Sequence, residues 1–446
     1  MRKILYLCLF FAAAAVHAQQ NKSYTFSLNE AVTFALDSNY TAINAKRDVE
    51  AAFKQKWETT ATGLPQISAQ VDYQNQLKQP VTLIPGEIAQ QPNVDFVPVI
   101  FGVPQTMTAT ATLNQMIFDG SYIVGLQAAK TFLRYSKNAE EKTKSLVRKE
   151  VINAYGTVIL AKENIAILEN NRATLEKNLR ETTEIFKNGL AEEEDVEQLQ
   201  ITLSGVDIQL DNARRLLEIS QQLFNISIGI DLNAPVKFTD SLESLIQSQM
   251  TLELLTEGLV LENNIDFKIA ENFTKQRELE LKLEKSRALP SLNAFVNYGT
   301  AAFDDNFSFF DTDTPWFQSS VLGVSLQVPI FSSLGRSAKT KRAEIAFDQA
   351  KTEFTEAVQR IKLEANAAKN NYQFSIEKFE NTKNNLRLAE RIENKNQIKF
   401  FEGLSSSFEL RQAQMQLYNA QQEYLQAMLE VINNKAELER ILNTTN

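Results

Sequence analysis

Histidine and cysteine are almost missing from this chain: its 446 residues contain one of each, His17 and Cys8. Both fall in the first eighteen residues, where Arg2 and Lys3 precede an apolar run from Ile4 to Val16 and Val16-His17-Ala18 fits a small-residue cleavage site. The run is too short to span a bilayer, so residues 1–18 are expected to be a secretory signal peptide. The mature chain is then expected to carry neither residue. That excludes disulfides, thiol chemistry, the usual transition-metal ligand sets and every nucleophile–histidine arrangement. No pair of carboxylates stands out, so no enzyme, metal or cofactor is expected.

Other scarcities sharpen the picture. No run of eighteen apolar residues follows the signal, which argues against a transmembrane helix, and a chain that enters a membrane without one must use strands. Net positive charge is lacking too: the formal charge is −9, or about −11 without Arg2 and Lys3, which does not suit nucleic acid. Proline is confined. The ten prolines fall at 65, 80, 85, 92, 98, 104, 235, 290, 315 and 329, leaving 105–234 and 330–446 free of it. Proline breaks helix interiors, so both tracts can form long helices.

What is present is present twice. Leu64-Pro65-Gln66-Ile67 with Tyr73 returns 225 positions later as Leu289-Pro290-Ser291-Leu292 with Tyr298. Ile117-Phe118 returns as Ile330-Phe331, and Phe186 with Gly189-Leu190 returns as Phe400 with Gly403-Leu404. The order is kept, and the offset changes by more than one only where the first copy holds a longer Pro-rich insert. This is a tandem duplication of roughly two hundred residues, too long a period for a solenoid. The first repeat is expected over 19–240, with strands at about 66–79 and 105–118 and a helix-hairpin tip near 189. The second is expected over 241–446, with strands at about 291–301 and 317–330 and a tip near 403.

Before Gly189, positions 147, 151, 154, 158, 161, 165, 168, 172, 175, 179, 182 and 186 step by four and three, and all but Arg172 and Thr182 are apolar. Such a seam is the coiled-coil period. A helix over 121–187 would be on the order of 100 Å long at ~1.5 Å per residue. The second seam, before Gly403, is interrupted by Ser375, Thr382, Glu393 and Asn396. The four strand segments alternate apolar and polar residues: Ile67, Ala69, Val71, Tyr73; Met107, Ala109, Ala111, Leu113; Leu292, Ala294, Val296, Tyr298; and Leu322, Val324, Leu326, Val328. Phe295 breaks the polar side of the third. Each segment has the length of a tilted membrane strand with lipid on one face and water on the other. Residues 80–104 read as a proline-rich loop, and 301–316 as a loop of aromatics among aspartates, either an interfacial girdle or a cap.

Four strands cannot close a barrel, for which about eight are needed, and an open edge cannot sit in lipid. Several copies must therefore pool their strands. A ring of three gives a twelve-stranded β-barrel, and the pooled helices give a tube that continues it. The expected fold is thus a mixed α/β membrane protein, a duplicated unit of two β-strands plus long coiled-coil helices, assembling as a trimer.

Taken in order, these pieces resemble the TolC-type outer membrane factors, the outer membrane efflux protein family. The resemblance rests on Ser27-Leu28-Asn29-Glu30-Ala31 opening the first helix, Leu64-Pro65 and Leu289-Pro290 leading into strands, Val328-Pro329-Ile330-Phe331 with Gly335-Arg336, and the two Gly-Leu turns. The chain departs from it at Asn39-Tyr40 and Asn264-Ile265, where the family often has Asn-Pro, and the first copy lacks an arginine matching Arg336.

The resemblance implies a passive outer membrane exit duct of a tripartite efflux or type I secretion system. Its implied partners are two further copies, a periplasmic adaptor, an inner membrane pump and outer membrane lipid. Its helical barrel would lie in the periplasm. It also implies that Gly189, Leu190, Ala191 and Gly403, Leu404, Ser405 form tips that dock the adaptor. Glu409, Gln412 and Asp195 would line the pore constriction, with Ser405 standing where some members place a latching arginine. Each has a plainer reading: glycine turns, acids at a helix N-terminus, and a solvated glutamate. The alternative for the whole chain is a non-conducting coiled-coil envelope scaffold, which explains the heptads but not the duplicated strands.

Overall fold

The computed structural model describes residues 23–443; the expected signal segment, with Cys8 and His17, lies outside them. The described chain runs β1 (Tyr24–Phe26), α1 (Leu28–Ser38), α2 (Tyr40–Ala61), β2 (Gln66–Asn75), β3 (Val81–Pro85), β4 (Phe96–Ile100), β5 (Gln105–Asp119), α3 (Gly120–Lys187) and α4 (Glu193–Ile228). It continues with β6 (Val236–Phe238), α5 (Leu242–Gln249), α6 (Glu253–Thr256), α7 (Ile265–Ser286), β7 (Ser291–Asp304), β8 (Phe317–Gln327), α8 (Gly335–Phe401) and α9 (Ser407–Leu442). It packs as two units, each drawing on both halves of the sequence. One comprises Met1–Glu50, Tyr135–Glu271 and Glu353–Asn446, and the other Ala51–Arg134 and Asn272–Thr352.

The first unit is helical. Its core gathers Val147, Val151, Tyr155 and Val158 of α3, Phe224 and Ile228 of α4, and Val431, Leu438 and Ile441 of α9 around the small helices α1 and α5. Over one window α3 reaches a mean hydropathy of 1.3, enough by composition for a membrane span, yet Val151, Tyr155 and Val158 are wholly buried in this core. The Tyr155 hydroxyl donates to Asp240 Oδ2 at 2.9 Å, and the same carboxylate oxygen accepts the Leu28 N–H at 2.8 Å, fixing the start of α1. A capping box closes that start: Ser27 N–H donates to Glu30 Oε2 at 2.8 Å while Ser27 Oγ accepts from Glu30 N–H at 3.5 Å. The first hairpin, α3 against α4, adds a satellite core of Leu168, Leu175, Leu199, Val206, Leu210 and Ala213.

The asparagines at the two departures from Asn-Pro hold equivalent posts. Asn39 Oδ1 accepts the N–H groups of Thr41 and Ala42 at 2.8 and 3.1 Å, capping α2, while its amide donates to Ser227 O at 2.7 Å near the end of α4. Asn264 Oδ1 accepts the Phe267 N–H at 3.0 Å, capping α7, and its amide donates to Ile441 O at 2.8 Å near the end of α9. Each buried side chain therefore satisfies an orphan donor at one helix start and an orphan acceptor at another helix end. Tyr40 and Ile265 stand in the first helical position that proline would otherwise take.

The second unit carries the sheet, ordered β2-β5-β7-β8 and antiparallel throughout. The stretch expected as a proline-rich loop instead holds a separate antiparallel ribbon, β3 against β4. Pro85 and Pro98 lie inside its strands. A two-stranded ribbon tolerates them because each strand keeps one edge outside the ladder, where a missing N–H costs no bond. Asn264→Ala is predicted to lower stability by about 2 kcal/mol, losing a helix cap and leaving a buried carbonyl without its donor. Denaturant unfolding monitored by helical circular dichroism should register it, and an unchanged midpoint would count against this account of the asparagine.

Candidate functional site

The register sorts the sheet into two chemically distinct faces. One row across it reads Ile67, Leu113, Val296, Leu322; the next but one reads Val71, Ala109, Thr300, Gln318. The rows between, on the opposite face, include Ser68, Thr112, Asn297 with Val321, and Gln70, Thr110, Gly299, Ser319. The first face is mostly apolar and largely uncovered on its outer strands, with Ile67 79 % and Leu322 76 % exposed. Phe295, the break in the polar side, lies over Gly323 on the neighbouring strand. A Cβ there would sit 2.3 Å from the ring, so the glycine is what lets a large ring lie on that face.

Part of the aromatic loop folds back at the end of the apolar face. Phe309 is buried against Met107 and Ala302 and meets Tyr73 edge-on, and Phe307 completes the cluster, while Phe310 stays exposed. The outer strands β2 and β8 have one partner each, so each presents an open edge.

In the helical unit, the two predicted tips are built alike. Gly189 and Gly403 adopt φ of +77° and +70°, the left-handed conformation that glycine takes without steric cost. Gly189 N–H donates to Phe186 O at 2.8 Å and Leu190 N–H to Ile185 O at 3.1 Å; Gly403 N–H donates to Phe400 O at 3.0 Å and Leu404 N–H to Lys399 O at 2.8 Å. These paired bonds form the Schellman helix stop, once in each hairpin. Its usual apolar contact is missing from the leucines, which stand out with Leu190 80 % and Leu404 73 % exposed. Ala191 and Ser405 are half-buried beside them, and Ser405 Oγ has no hydrogen-bond partner among the described residues.

Asp195 and Glu409, six positions past their glycines, share one local task. Glu409 Oε2 accepts the Ser406 N–H at 3.2 Å and Ser406 Oγ accepts the Glu409 N–H at 3.3 Å, a capping box at the start of α9. Asp195 Oδ2 accepts the Glu192 N–H at 3.2 Å at the start of α4. Both carboxylates are thus turned back on their own turns. Gln412 is exposed one turn further along α9.

The structure adds a set of buried amides that periodicity alone does not flag. Asn171 Nδ2 donates to Gln421 Oε1 at 2.8 Å and Gln397 Nε2 to Asn178 Oδ1 at 2.9 Å, tying α3 to α9 and to α8. Gln414 is almost fully buried near the tips, facing Glu393. Its amide atoms fall outside strict hydrogen-bond geometry, so the contact is a facing of two polar groups and not a formed bond. Burial pushes the Glu393 carboxyl up, and the Gln414 amide partly offsets the shift. The interruptions Ser375 and Thr382 are also accommodated, their hydroxyls bonding back to Tyr372 O at 2.7 Å and Phe379 O at 3.1 Å. Arg172, the charged break in the first seam, pairs with Asp207 at 2.6 Å and Glu176 at 2.9 Å.

An extended sheet with one lipid-compatible face, joined in sequence to long paired helices with duplicated tips, defines an outer membrane channel class of fold. Solved channels share it. The chain superposes on CusC, a transmembrane channel former, with a TM-score of 0.75, 16 % identity and coverage of 93 % of this chain and 91 % of that one. On the outer membrane protein VceC of Vibrio cholerae the TM-score is 0.72 at 14 % identity, covering 93 % and 95 %. In sequence it is 23 % identical over 390 residues to the outer membrane protein TolC of Vibrio cholerae serotype O1, spanning 84 % of this chain and 80 % of that protein. Residues 258–444 match the model of the outer membrane efflux protein family. Over that segment the chain is similar to the family, and it shares the fold of these solved channels.

The half-buried Glu393 generates a prediction with a fixed sign. Its folded proton affinity is raised, so ionising it costs stability as pH climbs from the unfolded carboxylate range, about 4.3, through the folded value. Glu393→Gln should therefore raise the thermal midpoint at neutral pH, and the gain should vanish below about pH 4. An equal gain at both pH values would show that the charge is not the cause.

Proposed function

We propose that three copies of this chain form a passive exit duct of a tripartite efflux or type I secretion system. Each copy contributes four strands to a twelve-stranded barrel and its paired helices to a periplasmic tube. The observation that carries this reading is the sheet: four strands, an uncovered apolar face, a polar opposite face, and an open edge on either side. In hydrocarbon those edges need partners, and further copies of the same sheet supply them. The polar face, rich in Thr, Ser, Asn and Gln, then lines water. The family match over residues 258–444 and the likeness to solved channels support the same reading. A coiled-coil scaffold has no use for a sheet of this kind, and the reading assigns no catalysis and no nucleic-acid partner.

At the tips, Gly189, Leu190, Ala191 and Gly403, Leu404, Ser405 are proposed to dock a periplasmic adaptor that links the duct to an inner membrane pump. Two exposed leucines on rigid turns are apolar contacts without an intrachain partner. Asp195, Glu409 and Gln412 are proposed to ring the narrow periplasmic end.

The protein in detergent is expected to have the mass of three chains and to conduct ions in a planar bilayer; a stable monomer, or a trimer that never conducts, would overturn the duct. Leu190→Asp and Leu404→Asp should leave the trimer's stability within about 0.5 kcal/mol, as exposed substitutions do, while export falls to background; normal export in both would reduce the tips to turns. Glu409→Gln keeps the capping box, since glutamine also serves at that position. A loss of cation preference in that variant, with a swing toward anions in Glu409→Lys, is expected in reversal potentials under a salt gradient. Identical potentials in all three proteins would leave Glu409 with its capping role alone.

A further inference from the structure

The β3–β4 ribbon presents a surface that the duct reading leaves without a task. Its register pairs Val81 with Ile100, Leu83 with Pro98 and Pro85 with Phe96, and these six side chains share one face. All six are exposed, and none is polar. The opposite face, Thr82, Ile84, Val97 and Val99, is apolar but for Thr82 and is mostly half-covered. A ribbon of two five-residue strands with an uncovered apolar face is not stable alone in water.

The ribbon is nonetheless a built element. Beyond it the chain folds into an ordered tip, where Gly86 N–H donates to Asp95 O at 3.2 Å and Gln91 N–H to Gly86 O at 2.7 Å. A Cβ on Gly86 would fall 1.8 Å from Val94 O, so the tip tolerates only glycine there. At its base the ribbon is joined to the β2–β5 hairpin through Pro80, Pro104 and Gly102 at φ +91°. Gln76 N–H donates to Pro104 O at 2.8 Å and Gln79 Nε2 to Gly102 O at 3.2 Å, which ties the two sides of this joint together.

Lipid is a poor occupant for the face, because the ribbon's two open edges would leave backbone groups unpaired in hydrocarbon. Edge-on strand addition is obstructed by Pro85 and Pro98 within the strands and by Pro80 and Pro104 beside them. Contact must come through the face. That face carries no charge to recognise an acidic or basic partner, and it is chemically complementary to itself. It also emerges from β2, whose free edge is the one the trimer reading gives to a neighbouring copy. The ribbon lies at the strand ends away from the long helices, since β2 follows α2 and β5 leads into α3.

We propose that the β3–β4 ribbons of neighbouring copies pack on one another through the Val81, Leu83, Pro85, Phe96, Pro98 and Ile100 face, forming an apolar constriction at the external mouth. The inference rests on the trimeric duct.

The test places single cysteines in the full chain with Cys8→Ser. Under a mild oxidant, Leu83→Cys should give disulfide-linked dimers on non-reducing gels, at least about fivefold more than Thr82→Cys on the opposite face. The pair Leu83→Asp with Phe96→Asp should raise single-channel conductance at least about twofold by wetting the constriction. Labelling of Leu83→Cys by a water-soluble maleimide as fast as Thr82→Cys would show a free ribbon and overturn the proposal. So would quenching of a fluorophore at that cysteine by brominated lipid, which would place the face in the bilayer. Cross-linking without any change in conductance would overturn the constriction. A trimer by mass in which these tests fail condemns the ribbon contact alone, whereas a monomer condemns the duct beneath it.

Discussion

A β-strand in hydrocarbon has no water to satisfy its N–H and C=O groups, and each group left unpaired costs several kcal/mol. The rest of this structure depends on that constraint. The sheet pairs β5 and β7 on both sides but leaves β2 and β8 with one neighbour each. Its uncovered face is apolar, so the sheet suits lipid, while its edges do not. Closure with further copies of the same sheet would resolve the contradiction. The proposed trimer, lumen and transport all rest on this one incompatibility, and in that reading the polar face becomes the pore wall because the other face is committed to lipid.

Duplication then sets what the helices can do. Each repeat supplies a hairpin that ends in the same stop, a left-handed glycine followed by an exposed leucine, and restarts with a carboxylate folded onto its own N-terminus. Asn39 and Asn264 tie each short helix start to the end of the corresponding return helix. In the proposed docking, two hairpins with the same ends would offer equivalent contacts to one kind of partner.

Much of this was legible in the sequence. The confinement of proline marked the long helices, and the two-residue period marked all four strands of the sheet, because both reflect local backbone rules. The β3–β4 ribbon was not legible, since Pro80, Pro85, Pro92, Pro98 and Pro104 argue for a loop wherever one assumes a strand paired on both sides. A ribbon only two strands wide evades that assumption. The capping role of Glu409 had a signal, Ser406 followed three residues later by glutamate, as did Ser27 with Glu30. Phe295 looked like an error in the alternation because sequence alone cannot reveal that Gly323 lies beside it. The tips were visible as Gly-Leu pairs, but the exposure of their leucines was not, since it depends on packing.

The buried amides show why a clean heptad rule understates these helices. Apolar seams alone are permissive about sliding, because leucine packs nearly as well one turn away. Asn171 with Gln421, and Asn178 with Gln397, bond only in one alignment of α3 against α9 and α8. A slip of one turn would strand four amides, of which Asn171 and Asn178 are buried, at a cost of about 1–3 kcal/mol for each buried group left unsatisfied. Such pairs add little to net stability, yet they separate the native register from its neighbours, as a single buried asparagine does in a coiled coil. Near the tips the rule relaxes: Gln414 faces Glu393 without a formed bond, and Thr182 Oγ1 also lacks a partner among the described residues. The hairpins are thus most firmly registered along their shafts and least committed beside the tips, where a partner or a neighbouring copy has the most to gain by changing their packing.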